Sequence, residues 1–425
     1  MAWDARPQPA GAVSPPSLHL VRDAPTATAA GPAKAHSHVH VPALDGVRGA
    51  AVLLVIIYHF ANSFYVIGFT NHLFSMLRVG WLGVDVFFAL SGFLITGILL
   101  DTKASPNYFK SFYVRRILRI FPLYYGAIAL VLLLWAILPA AGVWGQRNGV
   151  FSAASPFWTG FFLENLGLAL HGPGATGVLT HYWSLAVEEH FYLIWPALVW
   201  LTSRRQLMAF AIGATVLSIV GRAAMWQQGL DIHAIFGATP LRLDGLAIGA
   251  IAAILMRRER PPSPRLAIAV LVGALATLAL LMTLRDTVEQ YDRVLWLFAY
   301  PLASIATAAA LVGSVGGGAL AQVLSVAPLR WFGRYSYGLY VWHPIVGVLL
   351  FHSRFSILPA NPRHWDILVA AVVAMAVNVG AAWLSFNLWE KRFLKLKRLF
   401  PAKAGDDPAA VAAEANAPAP AVVRL

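Results

Sequence analysis

Long apolar blocks recur along this chain, and they constrain its fold more than any other feature. A helix rises about 1.5 Å per residue, so roughly 20 apolar residues cross the hydrocarbon core of a bilayer. Apolar residues make up 59% of the chain and charged residues only 12%, whereas soluble domains carry roughly 25% charged residues. A soluble protein this poor in charge could not cover its surface. We therefore predict an all-α fold, a polytopic bundle of transmembrane helices.

The length of the apolar blocks predicts about ten spans, with an eleventh as the alternative. The predicted spans are residues 43–66, 80–101, 120–138, 181–202, 207–224, 241–256, 266–284, 294–315, 335–352 and 366–389. Together they define a membrane domain over 43–395, and the flanking segments 1–42 and 396–425 have the composition of disordered tails. A further apolar stretch within 139–180 is interrupted by Glu164 and Asn165. We interpret that stretch, about 155–170, as re-entrant or interfacial, and a plain eleventh span is the alternative.

The basic residues lie in short runs between alternate apolar blocks, which predicts the orientation of the bundle. If the N-terminus starts in the cytoplasm, most Lys and Arg side chains fall in cytoplasmic loops, and the C-terminus is cytoplasmic too. This pattern accounts for the net charge of +13, so we do not expect nucleic-acid binding. The chain has no cysteine, which excludes disulfides, thiolate metal sites and a cysteine nucleophile. We expect neither a metal site nor a bound cofactor.

Polar residues inside the predicted spans are the candidate functional residues, because a charge in the bilayer core costs roughly 2.5–3.5 kcal/mol. In the first span, Asp45 and Arg48 are three residues apart and can pair on one helix face. His59 follows Arg48 by eleven residues, close to three turns, so both lie on one face about 16 Å apart. This stripe favours a functional role for His59 over a structural hydrogen bond.

Two further groups of charged residues stand out. Arg115, Arg116 and Arg119 cluster near the start of the third span. They suit a phosphate-bearing donor because guanidinium groups bind phosphate through two hydrogen bonds, and they equally suit positive-inside anchoring. The adjacent carboxylates Glu188 and Glu189 open the fourth span. One of them is a candidate for orienting a base or binding a hydroxyl.

Three other polar or aromatic positions leave alternatives open. Trp183 is either a platform for a sugar or part of the interfacial aromatic belt. His343, which precedes Pro344, takes either a structural hydrogen bond or a chemical role. Ser91 and Gly92 in the second span are typical of helix packing, because Ser91 lacks the surroundings of a hydrolase nucleophile.

Five motifs, in this order, resemble the acyltransferase 3 family of integral-membrane acyltransferases. They read LDGVRG…YHF, GWLGVDVFFALSGFLIT, YVRRILRIFPLYY, HYWSLAVEEHFYLIWP and RYSYGLYVWHP. The resemblance runs from about residue 42 to 395. It implies transfer of an acyl group, usually acetyl, from acyl-CoA to sugars of O-antigens, exopolysaccharides, peptidoglycan or related glycans.

The resemblance also implies roles for particular residues. Arg48 and His59 match an arginine and histidine separated by ten residues, and the histidine is held to be essential for transfer. The arginine motif matches Arg115, Arg116 and Arg119, which implies donor binding or pore architecture. The glutamate motif matches Glu188 and Glu189. His190 departs from the pattern, since the family often has glutamine there.

The hypothesis that joins these residues is an O-acyltransferase of the bacterial inner membrane. Acyl-CoA docks at the arginines, with Asp45, Arg48, Trp183 and His343 also in the substrate path, and His59 acts as base on a glycan hydroxyl. Its partners are membrane lipid, acyl-CoA and the glycan. Because the chain ends soon after the last predicted span, we expect no appended hydrolase-like domain. The alternatives are a secondary transporter of a sugar or acylated sugar and a non-catalytic partner of a glycan synthase.

Overall fold

The computed structural model describes residues 41–66, 72–137, 155–171, 177–315, 317–352, 356–359 and 361–401. The α-helices are α1 Pro42–Val66, α2 His72–Leu77, α3 Gly83–Thr102, α4 Tyr108–Ile137, α5 Ser155–Gly160, α6 Glu164–His171, α7 Trp183–Leu201, α8 Arg204–Gln227, α9 Ile232–Ile235, α10 Leu243–Leu255, α11 Pro264–Arg285, α12 Arg293–Val315, α13 Ala319–Leu324, α14 Ala327–Gly347, α15 His364–Ser385 and α16 Lys391–Lys395. Short 3-10 segments are Arg78–Leu82, Gly177–Tyr182, Thr239–Leu241 and Leu396–Leu399, and π segments are Val348–His352 and Phe386–Glu390. The predicted tail 1–42 falls almost entirely outside the described residues. Of the predicted tail 396–425, residues 402–425 lie outside them, and the described beginning contains the 3-10 segment Leu396–Leu399.

The described chain is helical, as predicted, and seven of its helical stretches are long and apolar enough to cross a membrane. They are 42–65, 75–102, 108–134, 204–227, 264–285, 293–315 and 364–399. The remaining three predicted spans are also helices, namely α7, α10 and α14, but they are not among the seven, and α10 has only 13 residues. Ten spans and the cytoplasmic placement of both termini therefore stay predictions.

Two helices begin well before the predicted spans. Helix α4 begins at Tyr108 rather than 120, and α14 begins at Ala327 rather than 335. Both added stretches carry arginines. The spans were predicted from the length of apolar sequence, so stretches with arginines were not counted as part of a span. In the added part of α4, Arg116 and Arg119 line a cavity inside the bundle, as described below.

Glycines allow two pairs of helices to pack with their backbones in contact. A Cβ on Gly49 of α1 would collide with the carbonyl oxygen of Leu329 on α14, and one on Gly333 of α14 would collide with the carbonyl oxygen of Asp45. In the same way, Gly249 of α10 lies against the backbone of α3. Small residues permit this close approach between helices in a membrane. The α1–α14 contact brings together two helices that are distant in the sequence and that both carry histidines.

The short helices α5 and α6 form the interrupted apolar stretch. They have six and eight residues, so neither is long enough to span a bilayer alone. Glu164 is fully buried beside Tyr124 of α4. The Tyr124 hydroxyl also lies 2.5 Å from the carbonyl oxygen of Thr159, and one hydroxyl proton cannot serve two acceptors, so a neutral Glu164 carboxyl allows both hydrogen bonds. Burial accordingly raises the pKa of Glu164 to about 8.

Candidate active site

The polar stripe predicted on the first span is present on α1. Arg48 donates a hydrogen bond of 2.8 Å to the Asp45 carboxylate, three residues earlier on the same helix face. Arg48 also lines a cavity, whereas Asp45 is not among the lining residues. The pair therefore holds one guanidinium at the edge of the cavity.

The cavity has a volume of about 130 Å³ and lies between α1, α3, α4, α7 and α14. Three guanidinium groups line it, those of Arg48, Arg116 and Arg119, together with the carboxyl of Glu188. Two arginines belong to one helix and the third to another, so the positive charge is assembled by packing and not by a single sequence motif. A space of this kind favours an anionic ligand.

The structure divides the arginine motif of α4. Arg116 and Arg119 are three residues apart and share the face that lines the cavity. Arg115 points elsewhere and donates a hydrogen bond of 3.3 Å to the carbonyl oxygen of Phe400. Arg116 also lies over the ring of Tyr192, with its Cζ atom 5.3 Å from the ring centroid.

The two adjacent glutamates face different surroundings, as expected for neighbours on a helix. The Tyr192 hydroxyl donates a hydrogen bond of 3.0 Å to Glu188 and is also hydrogen-bonded to the Ser91 hydroxyl. All three side chains line the cavity. Glu189 does not line it, and its Oε1 atom is buried with no hydrogen-bond partner among the described residues. Sequence analysis missed Tyr192, although its spacing of four residues from Glu188 was the available signal.

Three histidines from separate elements form a cluster beyond the cavity. Nε2 of His343 on α14 lies 3.3 Å from Nδ1 of His59 on α1. The ring of His181, which precedes α7, lies 5.3 Å from the ring of His343. His343 and His181 are buried, while His59 is partly exposed. No sequence pattern indicated that these three histidines lie close together, because residues on separate helices are not related by helical spacing.

A tyrosine and a serine lie between the cavity and the histidine cluster. Ser184 and Tyr340 line the cavity, but His59 does not. The hydroxyls of Ser184 and Tyr340 are 2.5 Å apart, and Tyr340 donates a hydrogen bond of 2.8 Å to the carbonyl oxygen of His181. The Tyr340 ring also lies 5.5 Å from the ring of His343. Tyr340 thus contacts both the cavity and the histidines.

Trp183 is buried at the start of α7 and does not face an open surface. Its ring packs against Phe236 at 5.0 Å and against the guanidinium of Arg242 at 5.2 Å. Arg242 pairs with Asp85 at 2.7 Å, and a second buried pair joins Arg222 to Asp244 at 2.6 Å. These ion pairs connect α3, α8 and α10. Arg222 was not a candidate from the sequence, since a lone arginine in an apolar helix gives no sign of its partner.

Comparison with known proteins shows the family of this chain. A family model for the acyltransferase 3 domain, described as an acyltransferase domain, matches residues 41–386. The chain belongs to the acyltransferase 3 family. The match covers every helix that contributes to the cavity and to the histidine cluster.

Several bacterial proteins resemble this acyltransferase-family chain. It is 33% identical over 376 residues to the peptidoglycan O-acetyltransferase OatA of Listeria monocytogenes, covering 84% of this chain and 56% of the relative. It is 31% identical over 382 residues to the putative peptidoglycan O-acetyltransferase YrhL of Bacillus subtilis, covering 84% and 55%. It is 27% identical over 384 residues to the O-acetyltransferase OatA of Staphylococcus aureus, covering 88% and 61%. The chain spans little more than half the length of these relatives, and no solved structure matches it.

Proposed function

We propose that this chain is a multi-pass membrane O-acetyltransferase that moves an acetyl group from acetyl-CoA to a hydroxyl of a cell-surface glycan. One observation carries the proposal. Three arginines converge on a cavity, and Tyr340 at the edge of that cavity touches the histidine cluster that contains His59. The relatives that are named as peptidoglycan O-acetyltransferases favour peptidoglycan as the class of glycan.

The arginine end of the site suits the phosphates of coenzyme A. Arg48, Arg116 and Arg119 present guanidinium groups to one space, and such groups bind phosphate oxygens in pairs of hydrogen bonds. Glu188 and Tyr192 lie in the same space, where they hold Arg116 beside the donor rather than orient the histidine. Glu188 is therefore the carboxyl that we assign to the donor side, and Glu189 has no place in the cavity.

The histidine end supplies the base. The oxygen of the acceptor hydroxyl attacks the carbonyl carbon of the thioester, and His59 takes the hydroxyl proton. The carbon–oxygen bond forms as the carbon–sulfur bond breaks, and the leaving thiolate of coenzyme A recovers the proton from His59. Imidazole is suited to both transfers because it gains and loses a proton near neutral pH.

The bacterial cytoplasmic membrane is the location that fits this reaction. Acetyl-CoA is a cytoplasmic donor and a cell-surface glycan lies on the other side, so the enzyme must connect the two. The apolar helices provide the crossing.

The test is transfer of radiolabelled acetyl from acetyl-CoA to glycan by the purified protein in proteoliposomes. We expect His59→Ala to abolish labelling while the protein stays folded in the membrane. We expect Arg116→Ala to raise the KM for acetyl-CoA roughly 10- to 100-fold, the loss of one or two hydrogen bonds to a charged group. Arg115→Ala is the matched control and should change KM little, because Arg115 bonds to Phe400 outside the cavity.

Retained labelling in His59→Ala would remove the histidine from the mechanism. If glycan crossed the vesicle membrane without being labelled, the transporter hypothesis would replace the proposed function. An equal effect of Arg115→Ala and Arg116→Ala would show that the donor does not bind at the cavity.

A further inference from the structure

His343 is the buried neighbour of His59, and the two rings make a direct contact across the α1–α14 interface. Nε2 of His343 lies 3.3 Å from Nδ1 of His59, and the ring centroids are 4.7 Å apart. A hydrogen bond at this distance needs a proton on one nitrogen and a lone pair on the other. The surrounding carbonyl groups decide which nitrogen carries the proton.

The carbonyl of Tyr340 fixes the proton of His343. Pro344 has no backbone N–H, so it cannot donate the helical hydrogen bond to the carbonyl four residues earlier, which is that of Tyr340. Nδ1 of His343 lies 2.8 Å from this carbonyl oxygen. A carbonyl oxygen can only accept, so Nδ1 carries the proton and Nε2 of the neutral ring has a lone pair.

The carbonyl of Val55 fixes the proton of His59 in the same way. Nδ1 of His59 lies 2.8 Å from that oxygen, so Nδ1 donates, and its proton is shared with Nε2 of His343. Nε2 of His59 is then the unprotonated nitrogen. It makes no hydrogen bond to any of the described residues, and the ring is partly exposed. The nitrogen that a base must use is left free.

We propose that His343 is a positioning residue for His59 in the transfer reaction. Together with the Val55 carbonyl, it accepts a hydrogen bond from Nδ1–H of His59 and so keeps Nε2 of His59 unprotonated. When Nε2 takes the proton of the acceptor hydroxyl, the positive charge on His59 strengthens the hydrogen bond to His343. This inference rests on the proposed function, in which His59 is the base.

In many hydrolases a carboxylate orients the base, and a neutral histidine differs from it in charge. It accepts the hydrogen bond without placing a negative charge in an apolar interior, where an unpaired charge is costly. His181 lies against His343 at 5.3 Å, and neither of its ring nitrogens has a partner among the described residues. The rings of Tyr58 and Tyr340 also lie against the pair, 4.9 Å from His59 and 5.5 Å from His343. The described side chains that touch the pair thus bring no carboxylate to it.

Two amide substitutions separate the proposal from a purely structural role for His343. The amide of His343→Gln reaches the position of Nε2 and can accept the hydrogen bond from His59. The amide of His343→Asn ends near the position of Nδ1 and can replace only the bond to the Tyr340 carbonyl. A third variant, His343→Leu, removes both hydrogen bonds.

The measurement is the rate of acetyl transfer to glycan in proteoliposomes, with kcat and the KM for acetyl-CoA determined separately. The amount of folded protein and its melting midpoint in detergent are measured alongside. We expect kcat to fall roughly 10- to 100-fold in the Leu and Asn variants, with KM unchanged, because a hydrogen bond to a charged group is lost. We expect the Gln variant to recover most of the rate.

Other results would overturn the inference. Recovery by Asn but not by Gln would assign to His343 only the hydrogen bond to the Tyr340 carbonyl. Equal losses in folded Gln and Asn variants would show that the bond to His59 does not matter. Full activity of His343→Leu, combined with an inactive His59→Ala, would refute the positioning role while leaving His59 as the base. An active His59→Ala variant would instead refute the proposed function.

Discussion

Substituting Gly49 by alanine tests whether the contact between α1 and α14 sets the geometry of the histidine pair. The new Cβ would overlap the carbonyl oxygen of Leu329. Neither group is a flexible side chain, so the two backbones must separate by more than about 1 Å to restore an ordinary contact. Gly49 lies beside Arg48 and ten residues before His59, but its own hydrogen atoms take no part in the proposed chemistry.

A magnitude can be given for two effects of Gly49→Ala, the loss of stability and the loss of activity. Forcing one extra methyl group into a well-packed interface costs about 1–3 kcal/mol. The nitrogens of His59 and His343 are already 3.3 Å apart, so a further separation of about 1 Å would break their hydrogen bond. A misplacement of about 1 Å near a reacting centre can reduce the rate about 100-fold. Activity should therefore fall more than the loss of stability alone explains.

The assay compares Gly49→Ala with Gly273→Ala, which lies in the apolar helix α11. A Cβ at position 273 meets no atom within 4 Å, so this control should leave activity unchanged and stabilise the helix by at most about 1 kcal/mol. Melting midpoint in detergent and acetyl transfer in proteoliposomes are measured for both variants. If Gly49→Ala matched the control in both measurements, the interface would not be as tight as the structure indicates, and the geometric argument for His59 would fail.

Two predictions concern buried carboxyls outside the cavity. The raised pKa of Glu164, about 8 against an ordinary 4.5, means that the folded state holds its proton while the unfolded state loses it. Stability from this group is fully present below about pH 4.5 and is lost as pH rises to 8. The melting midpoint of the wild type should therefore fall more steeply with pH over this range than that of Glu164→Gln. The same dependence on pH in both proteins would contradict a neutral Glu164. Asp244→Asn leaves Arg222 buried without its partner and should lower the free energy of unfolding by about 3–5 kcal/mol. Asp101→Asn breaks a partly exposed pair and should lower it by about 1 kcal/mol or less. Equal losses would contradict the role of burial.

The sequence predicted the helices well because apolar length is a strong signal. Helix α1 begins at Pro42 and ends at Val66, within a residue of the predicted span 43–66, and α11 and α12 match their predicted spans almost as closely. The prediction was less accurate where a helix carries charge on one face. Helix α4 adds three turns before residue 120, because Arg116 and Arg119 face a cavity that no hydropathy argument reveals.

The candidate site was predictable only within single helices. The pairing of Asp45 with Arg48 and the shared face of Arg116 and Arg119 follow from a spacing of three residues. Contacts between helices carry no such signal. His59 and His343 meet because glycines let α1 and α14 approach closely, and neither the partner nor the register of that contact can be read from local spacing.

The geometry of α1 also limits how donor and acceptor can meet. Arg48 and His59 are eleven residues apart on one helix, which fixes a separation of about 16 Å along its axis. If the phosphates of the donor bind at Arg48, the flexible arm of the donor must carry the thioester over this distance to reach the free Nε2 of His59. The hydroxyls of Ser184 and Tyr340, which are 2.5 Å apart, lie at the part of the cavity next to the histidines. The route from the arginines to His59 in the proposed function therefore passes Tyr340, which contacts both the cavity and the ring of His343.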